Sequence, residues 1–127
     1  MAQLINLKTF TDTRGSLTVI ERVIPFEIKR IFYVNDRDYF ARDEGDFGNI
    51  KLAVVCLKGR CLITSQTGTE MQRFILHTAD QCLLLTPEDR YEMTEIMDES
   101  ILMVLASEPF GHSEGVHEPY RYGVSLA

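Results

Sequence analysis

The sequence lacks any apolar run near the ~20 residues that a membrane-spanning helix needs, and its first eight residues carry no basic start followed by an apolar block. Neither a transmembrane segment nor a signal peptide is therefore expected. Metal-binding spacing is missing too: there is no Cys-x-x-Cys and no His-x-His pair, and His77, His112 and His117 are scattered. Such a set gives no reason to expect a metal site. Cysteine is scarce and odd in number, and Cys56, Cys61 and Cys82 each sit inside an apolar, strand-like segment. They read as buried, reduced thiols of a cytoplasmic protein rather than as a disulfide framework. Positive charge is in deficit, with 13 Lys and Arg against 19 Asp and Glu and a net charge of −6 at pH 7. A chain without a net positive field cannot release counterions from phosphates, which excludes a general nucleic-acid or acidic-membrane binder. One phosphorylated small molecule, held by two or three local arginines, remains compatible with that balance.

Of the 127 residues, 45% are hydrophobic, and a chain of this length buries about two-thirds of its unfolded surface without needing staples. The apolar residues fall in short runs. Leu17-Thr18-Val19-Ile20 follows an Asp12-Thr13-Arg14-Gly15 turn, and Arg30-Ile31-Phe32-Tyr33-Val34 ends at Asn35-Asp36. Leu52-Ala53-Val54-Val55-Cys56-Leu57 is the most continuously apolar run; Lys58-Gly59-Arg60 closes it before Cys61-Leu62-Ile63-Thr64-Ser65. Further strands are expected over 71–76, 82–85, 91–96 and 101–106, with Thr86-Pro87-Glu88-Asp89 as a turn. Turn signals every 8–12 residues or so, without a helical period, predict an all-β sandwich or barrel. Only residues 36–49 have room for a helix, and Gly45, Gly48 and mixed charges favour a loop there. No repeat, low-complexity tract or linker interrupts the chain, so 1–127 reads as a single domain. Its core spans about 4–107, and a turn-rich tail over 108–127 is expected to wrap the surface or reach a neighbouring subunit.

Several of these segments, in order, resemble one family. Asp12-Thr13-Arg14-Gly15-Ser16-Leu17 is similar to its D-x-R-G-x-L opening, and Ile24-Pro25-Phe26-Glu27-Ile28-Lys29-Arg30-Ile31-Phe32-Tyr33 to its I-P-F-x-I-K-R-V-Y-Y strand. Val54 to Cys61, Pro87 to Met93 and Leu102-Met103-Val104-Leu105-Ala106-Ser107 are similar to later strands. The family is the WxcM-like sugar 3,4-ketoisomerases acting on dTDP-4-keto-6-deoxyglucose, and the resemblance spans about residues 4–110. It implies a double-stranded β-helix (cupin, jelly-roll) fold and a homodimer with exchanged strands. It also implies a barrel pocket for a nucleotide-linked sugar (a dTDP-sugar), no metal or other cofactor, and a place in deoxysugar and polysaccharide biosynthesis.

The sequence departs from the family at one motif. Members carry R-G-x-H-A-H-K just before the apolar strand; ungapped counting back from Gly59 puts Arg42 at the arginine and Gly45 and Phe47 at the two histidines. Moving a carbonyl from C4 to C3 of a sugar passes through an enediol. One group must take a proton from carbon and another must shuttle protons between oxygens. Imidazole suits that role, since its ordinary pKa of about 6.5 lets it act both ways near neutrality. Gly45 and Phe47 cannot. Asp43, Glu44 and Asp46 are the nearby titratable groups, and a carboxylate serves as base only where burial raises its pKa.

The substrate-contact set implied by this reading is Arg14, Tyr33, Arg42, Phe47, Lys51 and Glu92, with Tyr33 and Asp46 as the catalytic candidates. Arg14 either holds a diphosphate or anchors its turn through Asp12. Arg30, following Lys29 on a strand, is expected to point outward; Lys51 faces either pocket or solvent. His77 reads as a turn residue at a strand end, and His112 and His117 as exposed residues of the tail. The leading reading is a family member that binds a nucleotide-linked deoxysugar with weak or no isomerase activity. The rival is an active ketoisomerase or epimerase using a carboxylate and Tyr33. A third is a structural, dimeric cupin with a filled pocket.

Overall fold

The computed structural model describes residues 1–35 and 49–108; the statements on structure below concern these residues. They form ten strands and no helix: β1 (Gln3–Asn6), β2 (Lys8–Asp12), β3 (Gly15–Val19), β4 (Arg30–Val34), β5 (Leu52–Lys58), β6 (Cys61–Thr67), β7 (Glu70–Leu76), β8 (Gln81–Leu85), β9 (Arg90–Thr94) and β10 (Ile101–Ala106). All pairings are antiparallel. A five-stranded sheet runs β1-β8-β5-β10-β4, a three-stranded sheet β7-β6-β9, and β2 and β3 form a hairpin of their own. The all-β jelly-roll expectation therefore holds. The strands anticipated from the sequence appear within a residue or two, whereas β1 and β2 were not foreseen. Both are mostly exposed and polar, so they carry no apolar run to mark them. The β2–β3 pair is stitched instead by hydroxyls, Thr9 with Thr18 at 2.9 Å and Thr11 with Ser16 at 2.9 Å.

β5 is continuously apolar because both of its faces are covered. Leu52, Val54 and Cys56 join Leu83, Leu85, Leu102, Val104 and Ala106 of their own sheet and Cys61, Ile63, Leu76, Tyr91 and Met93 of the other, forming the core between the sheets. Ala53 and Val55 turn the opposite way and pack with Cys82, Leu84 and Leu105 beneath Ile20, Ile24, Phe26 and Ile28. The extended segment over 20–28 is thus a cover on the outer face of the large sheet. Each fully buried Val, Leu or Ile contributes about 1.5–3 kcal/mol of transfer free energy, so these two layers dominate the stability of the domain. All three cysteines are buried and none is in a disulfide. Burial pushes the Cys61 thiol up to about 12 and the Cys82 thiol to about 11.

The corner from β5 into β6 turns at Gly59, whose φ of +90° is left-handed. A Cβ there would stand 2.2 Å from the Ser100 hydroxyl and 2.8 Å from its Cα, so the space and the backbone both require glycine. Ser100 is buried and accepts a hydrogen bond from the Arg60 N–H at 3.1 Å, while the Met97 N–H donates to the Arg60 carbonyl at 2.9 Å. The β9–β10 loop therefore closes this end of the barrel.

Candidate functional site

Strand alternation assigns every side chain of the two sheets to the interior or the exterior. On β4, Phe32 and Val34 pack against the inter-sheet core, so Arg30, two residues before Phe32, shares their inward face. It is half-buried, and its guanidinium lies 4.4 Å from the centroid of the Phe32 ring, a cation–π geometry. The outward placement expected for Arg30 is thereby corrected. Adjacency to Lys29 gave no information about the face, whereas parity with Phe32 does. Arg30 pairs with Ala106, which pairs in turn with Leu52, itself opposite Leu85.

On the small sheet, Cys61, Ile63 and Ser65 face inward along β6, flanked by Leu76, Phe74 and Gln72 of β7. Ser65 is paired with Gln72 on one side and with Tyr91 on the other. This row is polar in an otherwise apolar lining. Ser65 is 1% exposed, and neither its hydroxyl nor the Gln72 Oε1 makes a hydrogen bond among the described residues. Ser65 comes six residues after the Gly59 corner and Leu52 seven residues before it. Ser65 and Arg30 therefore both sit on stretches of strand removed from the closed end.

The β8–β9 turn sets Tyr91 in place. Asp89 is buried and its carboxylate accepts from the Thr67 hydroxyl at 2.5 Å, the Thr86 N–H at 2.8 Å and the Thr86 hydroxyl at 3.0 Å. Burial pushes this carboxyl up, but those hydrogen bonds, with the nearby amino terminus, outweigh it and hold the group below the usual carboxylate range. The expected Thr86-Pro87-Glu88-Asp89 turn is closed by the Asp89 N–H on the Thr86 carbonyl at 2.9 Å.

Those residues named from the sequence that the structure describes lie elsewhere. Arg14, at the tip of the β2–β3 hairpin, is 88% exposed in its side chain and bonds Asp12 at 2.5 Å; this is its turn-anchoring role, and it holds the Asp12 carboxyl below the usual range. Tyr33 is 68% exposed, on the face of β4 opposite Phe32. Lys51 is exposed, with its backbone clamped to Ser107 by two hydrogen bonds of 2.9 and 3.0 Å. Glu92 is exposed on the outer face of β9, where an open depression of about 240 Å³ is lined by Thr64, Gln66, Met71, Arg90, Tyr91 and Glu92. His77 is exposed just past the end of β7. Arg42, Asp46, Phe47, Gly45, His112 and His117 lie outside the described residues. The structure puts Arg30 beside Phe32 on the large sheet and Ser65 between Gln72 and Tyr91 on the small one; none of these except Arg30 was weighed from the sequence for a ligand role. The signal that finds them is a polar residue on the apolar parity of a strand, as Ser65 is to Cys61 and Ile63.

Comparisons with known proteins agree with this architecture. A family model described as FdtA, WxcM-like, C-terminal, matches residues 1–125. A TDP-4-oxo-6-deoxy-alpha-D-glucose-3,4-oxoisomerase from Aneurinibacillus thermoaerophilus is 30% identical over 124 residues, covering 91% of this chain and 86% of that protein. Among solved structures, the WlaRB TDP-quinovose 3,4-ketoisomerase from Campylobacter jejuni superposes with a TM-score of 0.81 at 28% identity, covering 89% of each chain. A histidine-to-asparagine variant of the 3,4-ketoisomerase QdtA from Thermoanaerobacterium thermosaccharolyticum, solved with TDP-4-keto-6-deoxyglucose, gives 0.74 at 27%, covering 88% of this chain and 83% of that one. A family model spanning nearly the whole sequence, a curated relative and matching folds converge: the chain belongs to the WxcM-like FdtA family of TDP-sugar 3,4-ketoisomerases.

Proposed function

We propose that this chain binds a dTDP-linked deoxysugar between its two sheets, as a cytoplasmic homodimer with weak or no ketoisomerase activity. The observation that carries the binding site is the presence of polar groups on the inner faces of both sheets, Arg30 stacked on Phe32 on one and Ser65, Gln72 and Tyr91 in an otherwise apolar wall on the other. A guanidinium suits a diphosphate, and hydroxyl and amide groups suit sugar oxygens. QdtA, a relative of the same fold, holds TDP-4-keto-6-deoxyglucose.

The chemistry supports weak turnover. Serine, glutamine and arginine do not act as bases near neutral pH, a phenol is ordinarily protonated there, and Asp89 has both oxygens committed to its turn. The described interior thus offers groups that orient a sugar and a cation that stabilises negative charge on oxygen, without a group suited to take a proton from carbon. The sequence has Gly45 and Phe47 where the ungapped count puts the family's histidines. The rival, carboxylate-based isomerase needs Tyr33 at the substrate, and its exposed position on the outer face does not favour that role. The exposed β2–β3 hairpin, with Phe10 and Leu17 paired and open to solvent, is the segment we assign to exchange with a second copy.

Two measurements test the reading. Calorimetric titration with dTDP should give binding; a filled barrel gives no heat and overturns it. Incubation with dTDP-4-keto-6-deoxyglucose, followed by NMR, should show conversion at least ~100-fold slower than a member with both histidines, the lower bound for loss of a positioned acid–base group. Equal turnover refutes the weak-activity half.

A further inference from the structure

We infer that Ser65 and Gln72 form a sugar-contacting pair that reads the hexose ring and leaves the nucleotide unread. The inference rests on the proposed binding of a nucleotide-linked sugar inside the barrel and deepens it.

Three observations carry it. The first is an energetic anomaly. Ser65 is 1% exposed, its hydroxyl is without a hydrogen bond among the described residues, and the Gln72 Oε1 across the β6–β7 ladder is in the same condition. A buried polar atom left without a partner is destabilising, and small apolar side chains at these positions would remove that cost. The second is direction. Ser65 follows Cys61 and Ile63 on the inward parity of β6, so its hydroxyl points between the sheets and away from the exposed depression lined by Thr64 and Gln66. The third is position. The pair sits six residues past Gly59 along β6, away from the corner that the β9–β10 loop closes. A third buried acceptor of this kind, Gln81 Oε1, does not belong to the pair. Leu83 pairs with Val54, which puts Gln81 level with Cys56 at the closed end.

A hydroxyl and a primary amide facing each other across β6 and β7 match the chemistry of a hexose bearing hydroxyl and keto oxygens. The amide donates and accepts, and the serine does either. Discrimination by such groups is sharp, because a ligand that cannot bond them leaves them buried and orphaned.

The test uses the full chain and three proteins: the native sequence, Ser65→Ala, and Gln72→Met. Each is titrated with dTDP and with dTDP-4-keto-6-deoxyglucose, and each is melted without ligand. The expected result is a loss of about 5–20-fold in affinity for the sugar nucleotide in each variant, the loss of one good hydrogen bond, with dTDP affinity unchanged within twofold. Ser65→Ala should also melt no lower than the native chain, since it deletes an orphan rather than a bond. Variants that bind the sugar nucleotide as well as the native chain overturn the inference while leaving the binding reading intact. So does a Ser65→Ala variant that melts well below the native chain and keeps its preference for the sugar nucleotide, because that is a structural serine. A native chain that binds neither ligand sinks both.

Discussion

Removing the Asp89 carboxylate tests whether the β8–β9 turn, and through it the placement of Tyr91, is held electrostatically. Asp89→Ala deletes an acceptor of three hydrogen bonds, of 2.5, 2.8 and 3.0 Å, from the Thr67 hydroxyl and from the Thr86 N–H and hydroxyl. Hydrogen bonds to a charged group contribute about 1.5–3 kcal/mol each, but they are not additive, and the two hydroxyls can rotate to other partners. The Thr86 N–H cannot. The net cost is therefore about 2–4 kcal/mol at neutral pH, which with a urea m-value of about 1–3 kcal/mol/M moves the unfolding midpoint by ~1–3 M. The pH dependence fixes the cause. The folded carboxyl titrates below its ordinary 3.8, so the unfolded chain takes up the proton first as pH falls. The stabilisation is fully present above 3.8 and is lost as pH drops through the lower folded value. Urea melts of native chain and variant at pH 7 and at successive values below 3.8 should show the gap between them closing, other carboxylates cancelling in the difference. A midpoint shift under ~0.3 M at pH 7, or a gap that persists unchanged at the lowest pH, refutes the reasoning.

Further outcomes follow from other parts of the fold. Gly59→Ala combines a left-handed φ of +90° with a Cβ 2.2 Å from the Ser100 hydroxyl and 2.8 Å from its Cα; it should lower Tm by ~10 °C or more by calorimetry, given overpacking costs of about 1–3 kcal/mol on top of the strain. A change of a degree or two would mean the corner is looser than its geometry. The three buried thiols, with Cys82 pushed to about 11 and Cys61 to about 12, should resist an aromatic disulfide reagent at pH 8 in the folded chain and all react once it is unfolded; fast native labelling contradicts their burial. Phe10→Glu with Leu17→Glu places like charges face to face on the β2–β3 hairpin. Light scattering should then give a monomer for the variant and a dimer for the native chain, and a monomeric native chain refutes the hairpin exchange.

Much of the fold was legible because β-strands buried on both faces read as unbroken apolar runs. β5 and β8 show this directly, and Gly59 and Pro87 mark the corners on either side. β1 and β2 were illegible for the converse reason. Their stabilisation comes from cross-strand hydroxyl pairs and from β1 lying along β8, and neither is a property of the segment taken alone. The site was harder still. Arg14 was left open between a ligand and its own turn, and the ion pair with Asp12 settles its local geometry. Tyr33 and Phe32 are adjacent aromatics on one strand, and which of the two faces the interior depends on register with β10, where Phe32 meets Val104 and Tyr33 meets Met103. A linear reading cannot weigh the two alternatives without the partner strand.

Ser65 matters more than the charged residues at turns and strand edges for a related reason. Charged residues at turns and strand edges attract notice because they look chemical, yet most of them here are solvated: Arg14, Lys51 and Glu92 are all exposed. Water already satisfies such groups, so their presence places no demand on a ligand. A serine in line with Cys61 and Ile63 is inconspicuous in sequence, but folding takes it out of water and leaves its hydroxyl unbonded among the described residues. Selection for stability alone would favour alanine at that position, since the substitution removes a desolvated group at almost no loss of volume. A stability gain in Ser65→Ala coupled to a loss of sugar-nucleotide affinity would therefore separate a retained binding site from a barrel that has merely drifted, which neither measurement does alone.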